Sequence, residues 1–325
     1  MTNKQIYLAT LGFSVRKLLY DFIALIFTAA ACGVGFLAAE KASGAGFVGL
    51  AVGLVAALIV VGIVTHFFGY SLKAGQIAMM TEGIVNGSLP DDVIGEGKKV
   101  VKERFGTVAA FYAATRLIKG MFNEIGKGVN ALGKAVGGDA GETAANAVNA
   151  VVQVIVDYLS DCCLGWVFFR SGQKAVKSAL EGAVLFFRNW KTFLKNMGRV
   201  FGVGAASLLG IGGAFTGVFY LVAARFPREF GAMAAELAEI AADGEGEFPA
   251  FLTDPKTLMI AAAALCGVLV WGFIHSTFIR PFVLVGVLRN YLEAGMNDVP
   301  SEESFDELDG MSKKFAKARA ELASD

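Results

Sequence analysis

The apolar stretches LLYDFIALIFTAAACGVGFLAA (residues 18–39) and GAGFVGLAVGLVAALIVVGIVTHFFGY (residues 44–70) decide the fold class. Each is long enough for an α-helix that crosses the ~30 Å hydrocarbon core of a bilayer. Because only a short polar linker separates them, the two predicted spans must form a helical hairpin. Arg16 and Lys17 precede the first stretch. No cleaved signal peptide is expected, since the apolar core of such a peptide is shorter.

The composition of the whole chain agrees with a membrane protein. Its 325 residues are 55% hydrophobic and 18% charged, and the mean hydropathy is +0.57, whereas soluble domains carry roughly a quarter charged residues. The 29 basic and 29 acidic residues balance, so no net charge favours nucleic acid as a partner. We therefore predict an all-α fold, a polytopic transmembrane helical bundle with interfacial amphipathic helices, in contact with the lipids of a cell membrane.

Four later stretches have the apolar character of further spans. They are residues 105–122, 147–169, 200–224 and 258–279. The last two are clear, whereas each of the first two carries two charged residues. We predict six spans within one transmembrane domain over residues 1–298. The alternative is four spans, in which 105–122 and 147–169 do not cross.

The charge distribution orients these spans. The stretches 71–104 and 171–199 hold five and six Lys or Arg residues near the span ends, and the loop 225–256 is acidic. Because Lys and Arg accumulate on the cytoplasmic side, we predict that both termini are cytoplasmic. The residues from 299 to 325 form a polar cytoplasmic tail that needs no packing partner. Outer loops are expected near 40–44, 123–146 and 225–256.

Glycine is abundant, and its spacing bears on how the helices associate. Membrane helices pack closely where small residues recur every four positions. Gly49 and Gly53 fit this spacing, and so do Gly213 and Gly217. Such glycine-rich faces could also join two copies of the chain as a homo-oligomer.

Charged residues in an apolar helix are costly, so Asp157 and Asp161 are candidate ligand-binding residues. They lie one turn apart on one helix face, and Tyr158 and Trp166 lie on the neighbouring face. Carboxylates beside aromatic rings suit a small organic cation, with each ring contributing roughly 0.5–2 kcal/mol. In the alternative, the helix is only partly immersed and both aspartates face water.

Trp271 and His275 form a second candidate site. They share a helix face at a spacing of four residues, and the tryptophan ring could contact a cation. The alternative is that they are a packed ring and a hydrogen-bonded imidazole with no ligand.

A third candidate site is the basic and aromatic segment 173–197, in which Arg188, Trp190, Lys191 and Lys195 are interleaved with apolar residues. This composition is typical of an amphipathic helix among lipid headgroups. The alternative is that residues 179–187 dip into the protein.

No enzyme or metal site is expected. The four cysteines lie in apolar surroundings without ligand spacing, and the two histidines are far apart in sequence. The sequence lacks the nucleotide, hydrolase and metalloprotease motifs. We expect no cofactor and no metal.

Three segments resemble the choline-transporter-like family over roughly residues 106–295. They are GTVAAFYAATRLIKGMFNEIGKGV (106–129), SGQKAVKSALEGAVLFFRNWKTFLKNMGR (171–199) and ALCGVLVWGFIHSTFIRPFVLVGVLRNYLEAG (264–295). The resemblance implies a helical membrane fold related to transporters of choline or a similar amine. Members of that family have about ten spans and a large outer domain after the first, which this chain lacks, so the substrate does not carry over.

Two functions follow as expectations. The first is a transporter or permeation pathway for a small organic cation such as choline. The second is a non-transporting membrane scaffold or lipid-binding protein that acts through its basic amphipathic segment and polar tail. A water-accessible cavity at the level of the bilayer midplane would favour the first, and a dry, glycine-packed interior would favour the second.

Overall fold

The computed structural model describes residues 1–44, 46–106, 108–137, 142–243, 253–297 and 300–324. Within these ranges the chain forms α-helices and two π-helical segments, and the described residues include no strand. The predicted all-α fold is confirmed.

Twelve α-helices follow one another in the described ranges. They are α1 (Asn3–Ser43), α2 (Gly46–Val85), α3 (Val93–Phe105), α4 (Val108–Gly137), α5 (Glu142–Phe169), α6 (Ala175–Ser207), α7 (Gly213–Ala223), α8 (Pro227–Asp243), α9 (Pro255–Ile274), α10 (Arg280–Asn297), α11 (Glu302–Met311) and α12 (Lys313–Ser324). The π-helical segment Leu208–Gly212 joins α6 to α7, and His275–Ile279 joins α9 to α10.

Three helical stretches of the described chain are long and apolar enough to cross a membrane. They are Asn3–Ser43, Gly198–Ala223 and Pro255–Asn297. A shorter apolar stretch, Val48–Gly62, lies in α2. The protein therefore has the helices of a membrane protein, while six spans and cytoplasmic termini stay predictions. Residues 138–141 and 244–252, in two of the predicted outer loops, lie outside the described residues.

The chain divides into two compact units. Unit 1 comprises Met1–Asn196 and Pro281–Asp325, and unit 2 comprises Met197–Arg280. Each unit is described separately below.

In unit 1, helices α1 and α2 pack as a hairpin whose backbones touch. A Cβ atom added to Gly49 would lie 2.0 Å from the carbonyl oxygen of Gly35, and one added to Gly53 would lie 2.4 Å from that of Ala31. Only glycine permits this approach, as the spacing of Gly49 and Gly53 predicted. The turn begins at Gly44, whose φ of 68° lies in the left-handed region that favours glycine.

The two halves of this hairpin differ in exposure. Large apolar side chains of α1 from Val15 to Leu37, and of α2 from Val48 to Val60, are largely exposed. Towards the other end Ile6, Phe13 and Ile77 are almost fully buried. One half therefore has the apolar surface that lipid would cover, while the other half contributes buried side chains to the protein interior.

The buried half of the hairpin belongs to a helical bundle with α3, α4, α5, the first half of α6 and α10. Its largest fully buried side chains include Met79, Met80, Ile118, Met121, Phe122, Leu180 and Tyr291. Between Val60 and Leu209, Val154 is the only exposed large apolar side chain among those described. Apart from Val154, the large apolar side chains described in the predicted spans 105–122 and 147–169 are thus buried or half-buried.

The polar tail packs on unit 1, although its sequence did not require a packing partner. Helices α11 and α12 contact α4, and Leu308, Ser312 and Phe315 are almost fully buried. The Glu124 carboxylate of α4 accepts hydrogen bonds from the Ser312 hydroxyl (2.7 Å) and the Lys314 backbone amide (3.1 Å). This carboxylate caps the start of α12, where free backbone amides need acceptors.

In unit 2, α7 and α9 pack closely, again through glycine. A Cβ atom on Gly267 would lie 2.2 Å from the Thr216 hydroxyl and 2.8 Å from the Gly212 carbonyl oxygen. The predicted pair Gly213 and Gly217 instead faces open space, with no heavy atom within 4 Å of an added Cβ. The prediction that this pair mediates close helix packing is wrong within unit 2. The helix face that packs against α9 contains Gly212 and Thr216 instead.

Candidate functional site

Asp161 lies at the wall of a cavity of about 230 Å³ between α2, α4 and α5 of unit 1. Its side chain is only 4% exposed, and its carboxylate pairs with the Lys73 ammonium at 2.6 Å. The bundle therefore places the aspartate chosen from the sequence beside a cavity, as a cation site requires, but gives it a lysine partner.

Asp157, one turn earlier on α5, pairs with a second lysine. Its carboxylate lies 2.8 Å from the Lys119 ammonium of α4, and its side chain is 38% exposed. The two carboxylates and two ammonium groups, Lys73 and Lys119, balance in charge. A cationic ligand would have to compete with a lysine already paired with each aspartate.

The rings at this cavity are not those expected from the sequence. Tyr70, Phe111 and Tyr112 line it. The Phe111 ring centroid lies 5.2 Å from that of Tyr70 and 5.4 Å from that of Tyr112. Tyr158 and Trp166 are buried but are not among the lining residues. The rings that line the cavity thus come from α2 and α4, and the expected partners Tyr158 and Trp166 of α5 do not line it.

Trp166 belongs to a buried polar network around Glu181. The Glu181 carboxylate, on α6, accepts hydrogen bonds from the Trp166 indole (3.3 Å), the Arg170 guanidinium (3.2 Å) and the Gln173 side-chain amide (2.7 Å). These donors satisfy a carboxylate that would be costly to bury alone. The network ties the end of α5 to the start of α6.

Trp271 and His275 lie in unit 2 and pack against each other. Their ring centroids are 5.1 Å apart, and the Trp271 indole donates a hydrogen bond to the Ser207 hydroxyl at 2.9 Å. His275 is the first residue of a π-helical segment, a distortion that often marks functional positions. The contact of the two rings was predicted by their spacing of four residues.

The segment 173–197 is only partly a surface helix. Ala179, Leu180, Ala183, Val184 and Leu185 are almost fully buried in unit 1, in agreement with the alternative that residues 179–187 enter the protein. A Cβ atom added to Gly182 would lie 2.7 Å from the Cys163 sulfur of α5 and 3.0 Å from the Tyr291 hydroxyl of α10. The Cys163 thiol donates to the Ala179 carbonyl at 3.3 Å.

The lipid-binding residues proposed from this segment are partly described. The Arg188 side chain is exposed. The side chains of Trp190, Lys191 and Lys195 lie outside the described part of the structure, as does that of His66.

Arg104, which the sequence did not single out, holds the corner between α5 and α6. Its guanidinium donates to the backbone carbonyls of Val167 (2.9 Å), Arg170 (3.1 Å), Ser171 (3.3 Å) and Gln173 (2.6 Å), and to the Ser178 hydroxyl (2.9 Å). Carbonyls at the end of a helix lack intrahelical donors and carry partial negative charge. Burial lowers the pKa of the Arg104 guanidinium.

No group of three or more His, Cys, Asp or Glu residues in the described chain could hold a metal ion. Cys162 and Cys163 are fully buried, and Cys32 and Cys266 are partly exposed thiols.

Comparison of the chain with protein-family models, with curated proteins and with solved structures gave no match.

Proposed function

We propose that the protein is a membrane-anchored scaffold whose helical bundle in unit 1 stands at the bilayer surface and does not transport. The supporting observation is the contrast in exposure between the outer half of the α1–α2 hairpin and the part of unit 1 formed by α3, α4, α5 and the first half of α6. Large apolar side chains are exposed in the outer half of the α1–α2 hairpin, whereas Val154 is the only such side chain among those described between Val60 and Leu209. A helix immersed in lipid turns apolar side chains outwards, and one in a water-facing bundle turns them inwards.

Helix length supports the same arrangement. Helix α1 has 41 residues, which at 1.5 Å per residue is about 60 Å, or twice the ~30 Å apolar core of a bilayer. The exposed apolar part of α1 accounts for about one bilayer thickness. Its N-terminal part, from Asn3 to Ser14, then lies beyond the hydrocarbon and packs in the bundle.

The proposal reduces the crossings in unit 1 to α1 and α2, with 105–122 and 147–169 outside the lipid. A transport pathway would need polar groups at the level of the bilayer core. The outer half of the hairpin instead packs backbone against backbone at Gly35 and Gly49. Asp157 and Asp161, the candidate residues for binding an organic cation, pair with lysines of the bundle.

Depth measurements with nitroxide spin labels test the proposal. Cys32 and Cys266 are replaced by alanine, and single cysteines are introduced at Leu25, Lys98 or Val154. Leu25 is an exposed apolar residue of α1 and serves as the lipid reference, whereas Lys98 is an exposed residue of α3 and serves as the water reference. Buried Cys162 and Cys163 are retained, and the parent without added cysteines reports their background labelling.

The label at Val154 should resemble the label at Lys98, with high accessibility to a water-soluble nickel relaxant and low accessibility to oxygen. A label at Val154 that matches Leu25 would place α5 in the lipid. That result would restore six spans and refute the surface position of the bundle.

A second function, binding or transport of an organic cation, is favoured by the cavity at Asp161. Three rings and a buried carboxylate are the groups that would hold a quaternary ammonium, and the choline-transporter-like resemblance implies such a ligand. Uptake of labelled choline and other amines into proteoliposomes, compared with empty vesicles, tests transport. Calorimetric binding tests the site, with Asp161→Asn expected to lower affinity about ten- to a hundredfold. Equal binding by parent and variant would refute the site.

A further inference from the structure

A second and larger cavity of unit 1, about 510 Å³, opens between α4, α12 and the first turn of α6. One wall consists of small apolar side chains of α4, namely Ala110, Ala113, Ala114 and Leu117. We call this cavity with its lining the α4–α12 groove. Its volume lies within the range of small-molecule pockets, which are about 300–1,000 Å³.

Basic side chains line the other side of the α4–α12 groove. They are Lys174 at the start of α6 and Lys314 and Lys317 of α12, and the acidic lining residue is Glu321. Arg104 also lines the groove, but its guanidinium binds the carbonyls of the α5–α6 corner. The groove therefore carries an excess of positive charge facing an apolar wall.

The two lysines of α12 are only loosely held by carboxylates. Lys314 lies 3.8 Å from Glu124, and Lys317 lies 3.8 Å from Glu321, with lysine side chains 55% and 79% exposed. These separations exceed hydrogen-bond distance, and exposed pairs of this kind contribute little. Both ammonium groups could therefore turn to an anion in the groove at small cost.

One end of the α4–α12 groove lies near the part of α2 where the exposed half of the helix ends and its buried half begins. Phe105, a lining residue, packs against Phe111 with ring centroids 5.3 Å apart, and Phe111 packs against Tyr70 at 5.2 Å. Tyr70 follows the exposed apolar stretch of α2. A molecule in the groove would thus lie close to the headgroups of the surrounding bilayer.

We propose that the α4–α12 groove binds an anionic phospholipid of the membrane. Its phosphate contacts Lys174, Lys314 and Lys317, and one acyl chain lies along the alanine-rich wall of α4. The apolar wall gives no advantage to a free phosphate ion, and the lysines give none to a neutral lipid, so charge and shape together select this class. The inference rests on the proposed surface position of unit 1.

Binding is measured on the full chain in a non-ionic detergent by native mass spectrometry, with phosphatidylglycerol as the probe and phosphatidylcholine as the neutral comparison. We expect one tightly bound phosphatidylglycerol and at least tenfold weaker phosphatidylcholine. The double variant Lys314→Gln, Lys317→Gln should bind phosphatidylglycerol about tenfold more weakly than the parent. Lys313→Gln is the matched control, since Lys313 is an exposed residue of α12 that does not line the groove, and it should bind like the parent.

A second variant, Ala113→Phe, fills the apolar wall and keeps every charge. It should also weaken phosphatidylglycerol binding about tenfold while circular dichroism shows parental helix content. If Ala113→Phe does not fold, the double lysine variant still tests the lipid site, because substitution of exposed side chains should leave the fold intact.

Three results would overturn the inference. The first is equal affinity for the two lipids, and the second is parental phosphatidylglycerol binding by the double lysine variant. The third is parental binding by a folded Ala113→Phe variant together with displacement of the lipid by inorganic phosphate. This third result would identify the groove as a simple anion site. These measurements do not depend on membrane depth. If the spin label at Val154 reports a lipid environment while phosphatidylglycerol binds as expected, the proposed function is refuted and the lipid site is not.

Discussion

Replacing Gly49 with alanine should separate the α1–α2 hairpin. The added Cβ would lie 2.0 Å from the Gly35 carbonyl oxygen and 2.4 Å from the Ala39 Cβ. Ordinary contacts begin near 3.4 Å, so the two helices would have to move apart by at least 1.4 Å at this point. The obstructing oxygen belongs to backbone, so no side-chain rotation can relieve the contact.

The expected cost is about 2 kcal/mol of unfolding free energy. Overpacking costs about 1–3 kcal/mol, and contact with backbone places this case at the upper end. Alanine recovers at most about 1 kcal/mol of intrinsic helix propensity relative to glycine. The matched control is Gly33→Ala on α1, the other helix of the hairpin, where an added Cβ meets no atom within 4 Å. It should be neutral or slightly stabilising.

The assay is unfolding of parent and variants by SDS in mixed micelles, followed by circular dichroism. The Gly49→Ala midpoint should move to lower SDS, while Gly33→Ala should unfold at or slightly above the parental midpoint. Equal effects of the two substitutions would show that close backbone packing does not hold the hairpin. The argument from glycine spacing would then fail.

Three further predictions concern polar groups. Lys73→Ala should lower the free energy of thermal unfolding by about 3 kcal/mol, because it removes the lysine from the buried Asp161 carboxylate. Asp161→Asn should lower it by only about 1 kcal/mol, because the half-exposed Lys73 ammonium can reach water. Equal costs of the two substitutions would contradict this difference. Arg104→Lys should lower the free energy of unfolding by about 2–3 kcal/mol in the same assay, since one ammonium cannot reach the four carbonyls. An unchanged melting temperature would contradict this prediction. Hydrogen bonds from the Thr257 hydroxyl and amide hold the pKa of Asp254 below its ordinary value, so its capping of α9 stabilises the fold at neutral pH and is lost as the pH falls below about 4. Asp254→Asn, which still caps a helix, should flatten that part of the pH dependence, and a parental acid profile would exclude the cap as its source.

The fold class was predictable because hydropathy alone determines it. The hairpin of α1 and α2 follows from two long apolar stretches and a short linker, and the close approach at Gly49 and Gly53 follows from their spacing. The same spacing failed at Gly213 and Gly217. A four-residue repeat indicates that small residues share a face but not which face meets a neighbour, and in unit 2 the packed face contains Gly212 instead.

The candidate site was predictable only in part. Asp161 was identifiable because a carboxylate in an apolar helix is costly. Its partner Lys73 and the rings of Tyr70 and Phe111 come from other helices, and no local pattern pairs residues so distant in sequence. Packing of the tail was missed for a related reason, since its few apolar residues, such as Phe315, become a buried face only beside α4.

The corner held by Arg104 has a consequence for limited proteolysis. The turn between α5 and α6 carries Arg170 and Lys174, both at the surface, and sequence alone marks it as a preferred trypsin site. A protease must draw several residues of backbone into an extended conformation, and here the carbonyls of Arg170, Ser171 and Gln173 are bound by one guanidinium. The turn should therefore resist trypsin under native conditions despite its exposure, and fragments that begin at Ser171 would report loss of this clamp rather than a natural domain boundary.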